Sequence, residues 1–134
     1  MAPRRSHLIR LALLALCAAY IQGPLTKLAD WPGAIAEMEH FGLRPAAAFA
    51  AGVIVFEMVA AAMVVTGIGR RPAAIGLALF TCAATLLALR FWELPPGPGR
   101  SMATNAFFEH LGLAGAFVFV ALREPDHPLT GVPA

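Results

Sequence analysis

Apolar residues in this chain gather into four long runs instead of alternating with polar ones. The runs lie at about 7–28, 45–68, 72–91 and 105–122, each 18 to 24 residues long. About 20 residues at 1.5 Å rise cross a roughly 30 Å hydrocarbon core. Only helices or closed barrels satisfy their backbone in lipid, and barrel strands would need about 10 residues of strict alternation. The pattern therefore predicts an all-α fold: a four-helix transmembrane bundle, one membrane domain over residues 1–134. Between the first two runs, Trp31, Ile35, Met38 and Phe41 recur about three apart, with Glu37, Glu39 and His40 among them. That spacing predicts a short interfacial helix in the first outer loop.

The connections differ in character. Gly67-Ile-Gly-Arg-Arg-Pro72 reads as a tight turn, since glycine accepts left-handed backbone at a helix end and proline suits a first helical turn. The second and third spans should therefore form an antiparallel hairpin. The loop Glu93-Leu-Pro-Pro-Gly-Pro-Gly-Arg100 is expected to be irregular, a linker or a lid, because proline removes donors and glycine adds freedom. Arg4, Arg5 and a Leu/Ala stretch also mimic a signal peptide. A lipoprotein signal would place a small residue before Cys17, where Leu16 stands, so an uncleaved first span is expected.

Composition strengthens the membrane reading. The chain is 59% hydrophobic and 13% charged, with mean hydropathy +0.71. Soluble domains run at about 45–50% apolar and about 25% charged. A chain this short could not hide so much apolar surface in water. A water-soluble enzyme, a disordered tail and a nucleic-acid module are excluded, and the net charge of +2 implies no polyanion partner. Arg4, Arg5, Arg10, Arg70, Arg71 and Arg123 fall on one side of the expected spans, with Lys27, Arg44, Arg90 and Arg100 on the other. The excess on the first side predicts cytoplasmic termini.

Polar residues inside the spans are the candidate chemistry. Ionisable groups at a helix centre cost about 2.5–3.5 kcal/mol on insertion scales, so they face the bundle interior. Glu57 lies about 18 Å past Pro45, at the bilayer midplane, with Ala60 and Ala61 on its flank. It is either a structural hydrogen bond that locks the bundle or a proton-exchanging, ligand-contacting carboxyl. Lys27 and Arg90 fall at the outer boundary, Glu109 and His110 about 5 Å below it, and Gln22 about 9 Å below. Helix neighbours point about 100° apart, so at least one of Glu109 and His110 must point inward. The first and last spans are expected to meet there, bringing Lys27 or Gln22 towards Glu109 or His110.

Pro24 cannot bond the Tyr20 carbonyl, which Thr26, a water or a neighbouring helix must then satisfy. This describes either a cavity wall or a repaired packing defect. Cys17 and Cys82 share a depth, where they read as small inert hydrophobes or as a redox pair. No C-x-x-C, metal-ligand spacing, phosphate loop or nucleophile elbow is present. His110 has no second axial histidine within a span, since His7 is at an edge and His40 and His127 lie in connecting or tail segments. A b-type cytochrome is thus not expected.

Several segments together resemble the DoxX family. They are Arg10 opening the first span, Gly23-Pro-Leu-Thr-Lys27-Leu closing it, and Gly42-Leu-Arg-Pro45 entering the second. Glu57, Gly67-Ile-Gly-Arg70 with Pro72-Ala-Ala, and Asn105-Ala-Phe-Phe-Glu-His-Leu-Gly112 complete the set. The resemblance implies a multi-pass bacterial inner-membrane protein. Relatives include the small subunit of a thiosulfate:quinone oxidoreductase and members tied to membrane thiol and oxidative-stress systems. It departs from the family where Leu89-Arg90-Phe91 replaces a late histidine and where Glu109 replaces a basic residue. On this resemblance, the leading expectation is a component of a membrane oxidoreductase system that contacts quinone and redox partner proteins. Gln22, Lys27, Glu57, Arg90, Glu109 and His110 would line its polar interior. In that role Lys27 or His110 would hydrogen-bond a quinone carbonyl and Glu57 would relay a proton. The competing expectation is a non-catalytic scaffold or anchor, and a small transporter comes third.

Overall fold

The computed structural model describes residues 3–124. His127 lies outside them. Among the described residues five α-helices form: α1 (Pro3–Ala29), α2 (Trp31–His40), α3 (Ala46–Thr66), α4 (Arg70–Ala88) and α5 (Pro98–Arg123). Four of these, all but α2, are long and apolar enough to cross a membrane. Their outward faces carry Leu11, Leu14, Val55, Val59, Leu79 and Phe119, all exposed, which suits lipid and not water. The expected membrane bundle and interfacial helix are both present.

Helix α5 starts at Pro98, ahead of the expected Asn105, and so takes in part of the loop that was expected to be irregular. Proline in the first turn loses no helical hydrogen bond, and Gly97 turns the chain with φ 148°. Phe91–Glu93 forms a 3-10 turn after α4 ends at Ala88, earlier than the expected Phe91. Its rings stack edge-on: Phe91 lies 5.3 Å and Trp92 5.9 Å from Phe107 of α5. Exposed Trp31 and Trp92 occupy this same end of the bundle, as interfacial anchors do.

The hairpin turn is as expected. Gly67 (φ 88°) and Gly69 (φ 63°) adopt left-handed backbone between α3 and α4. Next to it, Arg70 Nε donates to the Val64 carbonyl at 2.7 Å and Nη1 to Glu124 at 3.1 Å. Arg71 donates to the carbonyls of Ala121 (3.1 Å) and Glu124 (3.0 Å). Both arginines therefore cap orphan carbonyls at the ends of α3 and α5, where a helix dipole favours cations. The charges read from sequence as topology signals also fasten three helices together.

Packing is uneven along the bundle axis. Towards the end carrying the termini, Leu13, Cys17, Ala61, Val64, Ala74, Leu77 and Phe117 form one continuous core. Small alanines let the helices approach closely there. Tyr20 of α1 meets Phe117 of α5 edge-on at 5.2 Å. Cys17 is buried in this core while Cys82 is exposed, and both thiols are free.

At the opposite end α2 covers the bundle. Its Ala34 and Met38 pack on Ala46 and Ala50 of α3. The Asp30 carboxylate caps α2 by accepting from Gly33 N–H at 3.1 Å. A side chain on Gly33 would displace that carboxylate from its capping position.

Candidate functional site

Between the tight core and the α2 roof the helices line a partly open cavity of about 640 Å³. All five helices contribute to it. Tyr20, Gln22, Gly23 and Lys27 come from α1, Glu37 and Met38 from α2, and Val53 and Glu57 from α3. Helix α4 adds Thr81 and Leu87, and α5 adds His110 and Leu113. Its lining is mainly apolar, with a few convergent polar groups, the usual make-up of a small-molecule site.

Tyr20 and Thr81 set the floor. The Tyr20 hydroxyl hydrogen-bonds Thr81 Oγ1, which in turn donates to the Leu77 carbonyl at 2.6 Å. With the Thr81 proton committed, Tyr20 is the donor in their bond. Thr85, one turn on, donates to the Thr81 carbonyl at 2.6 Å. These hydroxyls are satisfied inside the protein.

Glu57 is not satisfied in this way. It is only 6% exposed and lines the cavity, yet no described residue donates a hydrogen bond to its carboxylate. One carboxylate oxygen lies 3.3 Å from where a Cβ on Gly23 would stand, so glycine there makes room for the acid. The expected interior position holds, but the expected polar partner is missing. The reason is local: the nearby Tyr20 hydroxyl is taken by Thr81. Lys27 is near enough to act on Glu57 electrostatically.

Lys27 itself pairs with Glu37 of α2 at 3.9 Å, tying α1 to the roof. The expected approach to Glu109 does not occur, because Glu109 is exposed on α5. His110, its neighbour, turns inward, and Nδ1 lies 2.6 Å from the Ala106 carbonyl. A carbonyl only accepts, so Nδ1 carries the proton and Nε2 of a neutral ring is left as an acceptor. Gln22 donates to Thr26 Oγ1 at 2.7 Å, and Thr26 donates to the Gln22 carbonyl at 3.0 Å. Thr26 thus serves Gln22 and not the Tyr20 carbonyl freed by Pro24. Pro24 is fully buried, so its ring fills space and Gly23 beside it forms the wall.

Of the six residues singled out from sequence, Gln22, Lys27, Glu57 and His110 therefore meet at one cavity. Arg90 does not join them: α4 has ended, and its guanidinium pairs with Glu93 at 3.4 Å outside the cavity. Sequence reasoning missed Tyr20, Thr81 and Glu37. Tyr20 carried a signal, since it is the single tyrosine and sits mid-span, where a hydroxyl needs a partner.

A DoxX family model matches residues 7–90, which hold α1 from His7 onward, α2 to α4 and most of the cavity wall. The chain belongs to the DoxX family. It is also similar to Inner membrane protein YphA of Escherichia coli (strain K12), with 24% identity over 123 residues, 90% of this chain and 86% of that protein. No solved structure matches it. In DoxX terms the matched part supplies Gln22, Lys27 and Glu57, while α5 with His110 lies beyond it.

Proposed function

We propose that this DoxX-family protein is a membrane component of an oxidoreductase system and that its cavity holds a quinone. The observation that carries this reading is an acid, Glu57, to which no described residue donates a hydrogen bond, in an apolar cavity that also contains Lys27 and His110. The fit is chemical as well as volumetric. Cavities of about 300–1,000 Å³ suit small ligands, and Val53, Phe80, Leu87 and Leu113 offer apolar faces for a ring. A bound quinone supplies two-electron, two-proton chemistry at its paired oxygens. Lys27 would donate a hydrogen bond to one such oxygen, and His110 Nε2, as an acceptor, would receive one from a hydroxyl. This refines the expected pairing, in which either residue bonded a carbonyl. Glu57 would give or take one of these protons at the cavity floor, with the electrons passing to or from a redox partner protein.

Extraction of the protein purified in mild detergent should release quinone in excess of that from mock-purified membranes. Lys27→Met should weaken binding about tenfold, the loss of one charge-assisted hydrogen bond. An absence of quinone together with equal affinities would overturn the reading. The scaffold alternative draws support from Gly112 and Gly115, exposed on α5 with open space above them. Stoichiometric recovery of a partner protein without quinone would favour it.

The likeness to the Escherichia coli protein supports an inner-membrane location, and the basic residues support cytoplasmic termini. In a background of Cys17→Ala and Cys82→Ala, the variant Arg100→Cys should react with a membrane-impermeant thiol reagent in intact cells. Reaction only after permeabilisation would reverse the topology.

A further inference from the structure

A second concavity lies against the cavity on the lipid-facing side of the bundle. It is a groove of about 420 Å³ lined by Ala48, Phe49, Gly52, Val53, Phe56 and Phe80. Every one of these side chains is apolar. Phe49, Val53 and Phe80 line the groove and the cavity alike, so the two share a wall. Phe49 is 42% exposed and stands on the rim. Gly52 has open space where a side chain would be, which deepens the groove. Phe56, stacked 5.4 Å from Phe80 and seated over Gly76, closes its far end. From Ala48 to Phe56 the groove extends about 12 Å along α3.

We infer that this groove seats the hydrocarbon tail of the molecule whose polar head occupies the cavity. The ligand is then a long-tailed membrane lipid, a prenylated quinone and not a water-soluble ring, and it enters sideways from the bilayer past Phe49. This rests on the quinone reading of the cavity and adds the tail, the route and the residues that form it. Entry of a quinone-sized ligand from the water side is opposed by α2, whose Glu37 pairs with Lys27 at 3.9 Å. A groove on α1, lined by Leu14, Ala18, Ile21, Gln22, Leu25, Thr26 and Ala29, is the rival path. It shares only Gln22 with the cavity, and there the mutually bonded Gln22 and Thr26 place polar atoms where a tail would have to pass.

Two photoreactive benzoquinones test this on the full chain in lipid nanodiscs. One carries a decyl tail ending in a diazirine, and the other bears an azide on the ring. Mass mapping should find the tail label on α3 between Ala48 and Phe56, and the ring label at cavity residues around Glu57. Gly52→Leu, which fills the groove, should reduce the tail label about tenfold and leave the ring label from a tailless analogue unchanged. Ring label in the cavity with tail label on α1, or spread evenly over the lipid face, overturns the tail site and leaves the cavity reading standing. Ring label outside the cavity overturns the cavity reading and the tail site with it.

Discussion

Replacing Glu57 by leucine is expected to raise the stability of the folded protein by about 2 kcal/mol and to abolish the quinone binding proposed above. An ionisable residue at a helix centre carries an insertion cost of about 2.5–3.5 kcal/mol, and leucine carries none. In most proteins that gain is offset, because removing a buried polar group orphans its partner. Here no described residue donates to Glu57, so nothing is orphaned. Glu57→Gln should leave stability nearly unchanged and remove the proposed proton exchange with the quinone, because the amide keeps the shape but holds no exchangeable acid proton. Unfolding in detergent followed by tryptophan fluorescence, together with quinone affinity, measures both effects. A fall in stability for the leucine variant would show that Glu57 is a structural bond after all.

The opposite sign is expected at the other end of the bundle. Arg71→Ala should destabilise by about 3 kcal/mol, the lower bound for two charge-assisted hydrogen bonds of about 1.5–3 kcal/mol each, since this part-buried side chain serves two carbonyls. Its guanidinium is part-buried and reaches Ala121 and Glu124, the last turn and cap of α5. Lysine should recover less than half of the loss, because a point charge cannot reproduce the planar fork. Thermal unfolding of the three proteins side by side is the measurement. Full rescue by lysine would show that charge alone matters there.

How much of this was legible beforehand follows from what a one-dimensional pattern encodes. Span length and apolar runs give four helices, and the Trp31/Ile35/Met38 spacing gives α2. Depth is also countable, which is why Gln22, Lys27, Glu57 and His110 could be singled out together. Azimuth is harder. The 100° step required one of Glu109 and His110 to face inward but did not say which, and His110 is the one. Arg90 was placed by extending a helix that in fact ends at Ala88, so its depth was counted along backbone that had already turned away. The partner of Glu57 failed for another reason. Tyr20 and Thr81 satisfy one another, and that choice depends on two helices meeting, which no local spacing records.

The uneven packing has an electrical meaning. Glu57 stands nine residues before Thr66, the last residue of α3, about 14 Å of helix in a hydrocarbon layer of roughly 30 Å. A proton that arrives at this carboxyl from the α2 end has therefore crossed about half of the membrane's thickness. A full crossing is worth about 2.3 kcal/mol per elementary charge per 100 mV, so the half-crossing is worth about 1 kcal/mol. The alanine-lined core below Tyr20 and Phe117 bars the remaining half. Loading that acid from one face only would make its occupancy follow the transmembrane voltage, and a dead-ended cavity of this kind would act as a field-sensitive proton well.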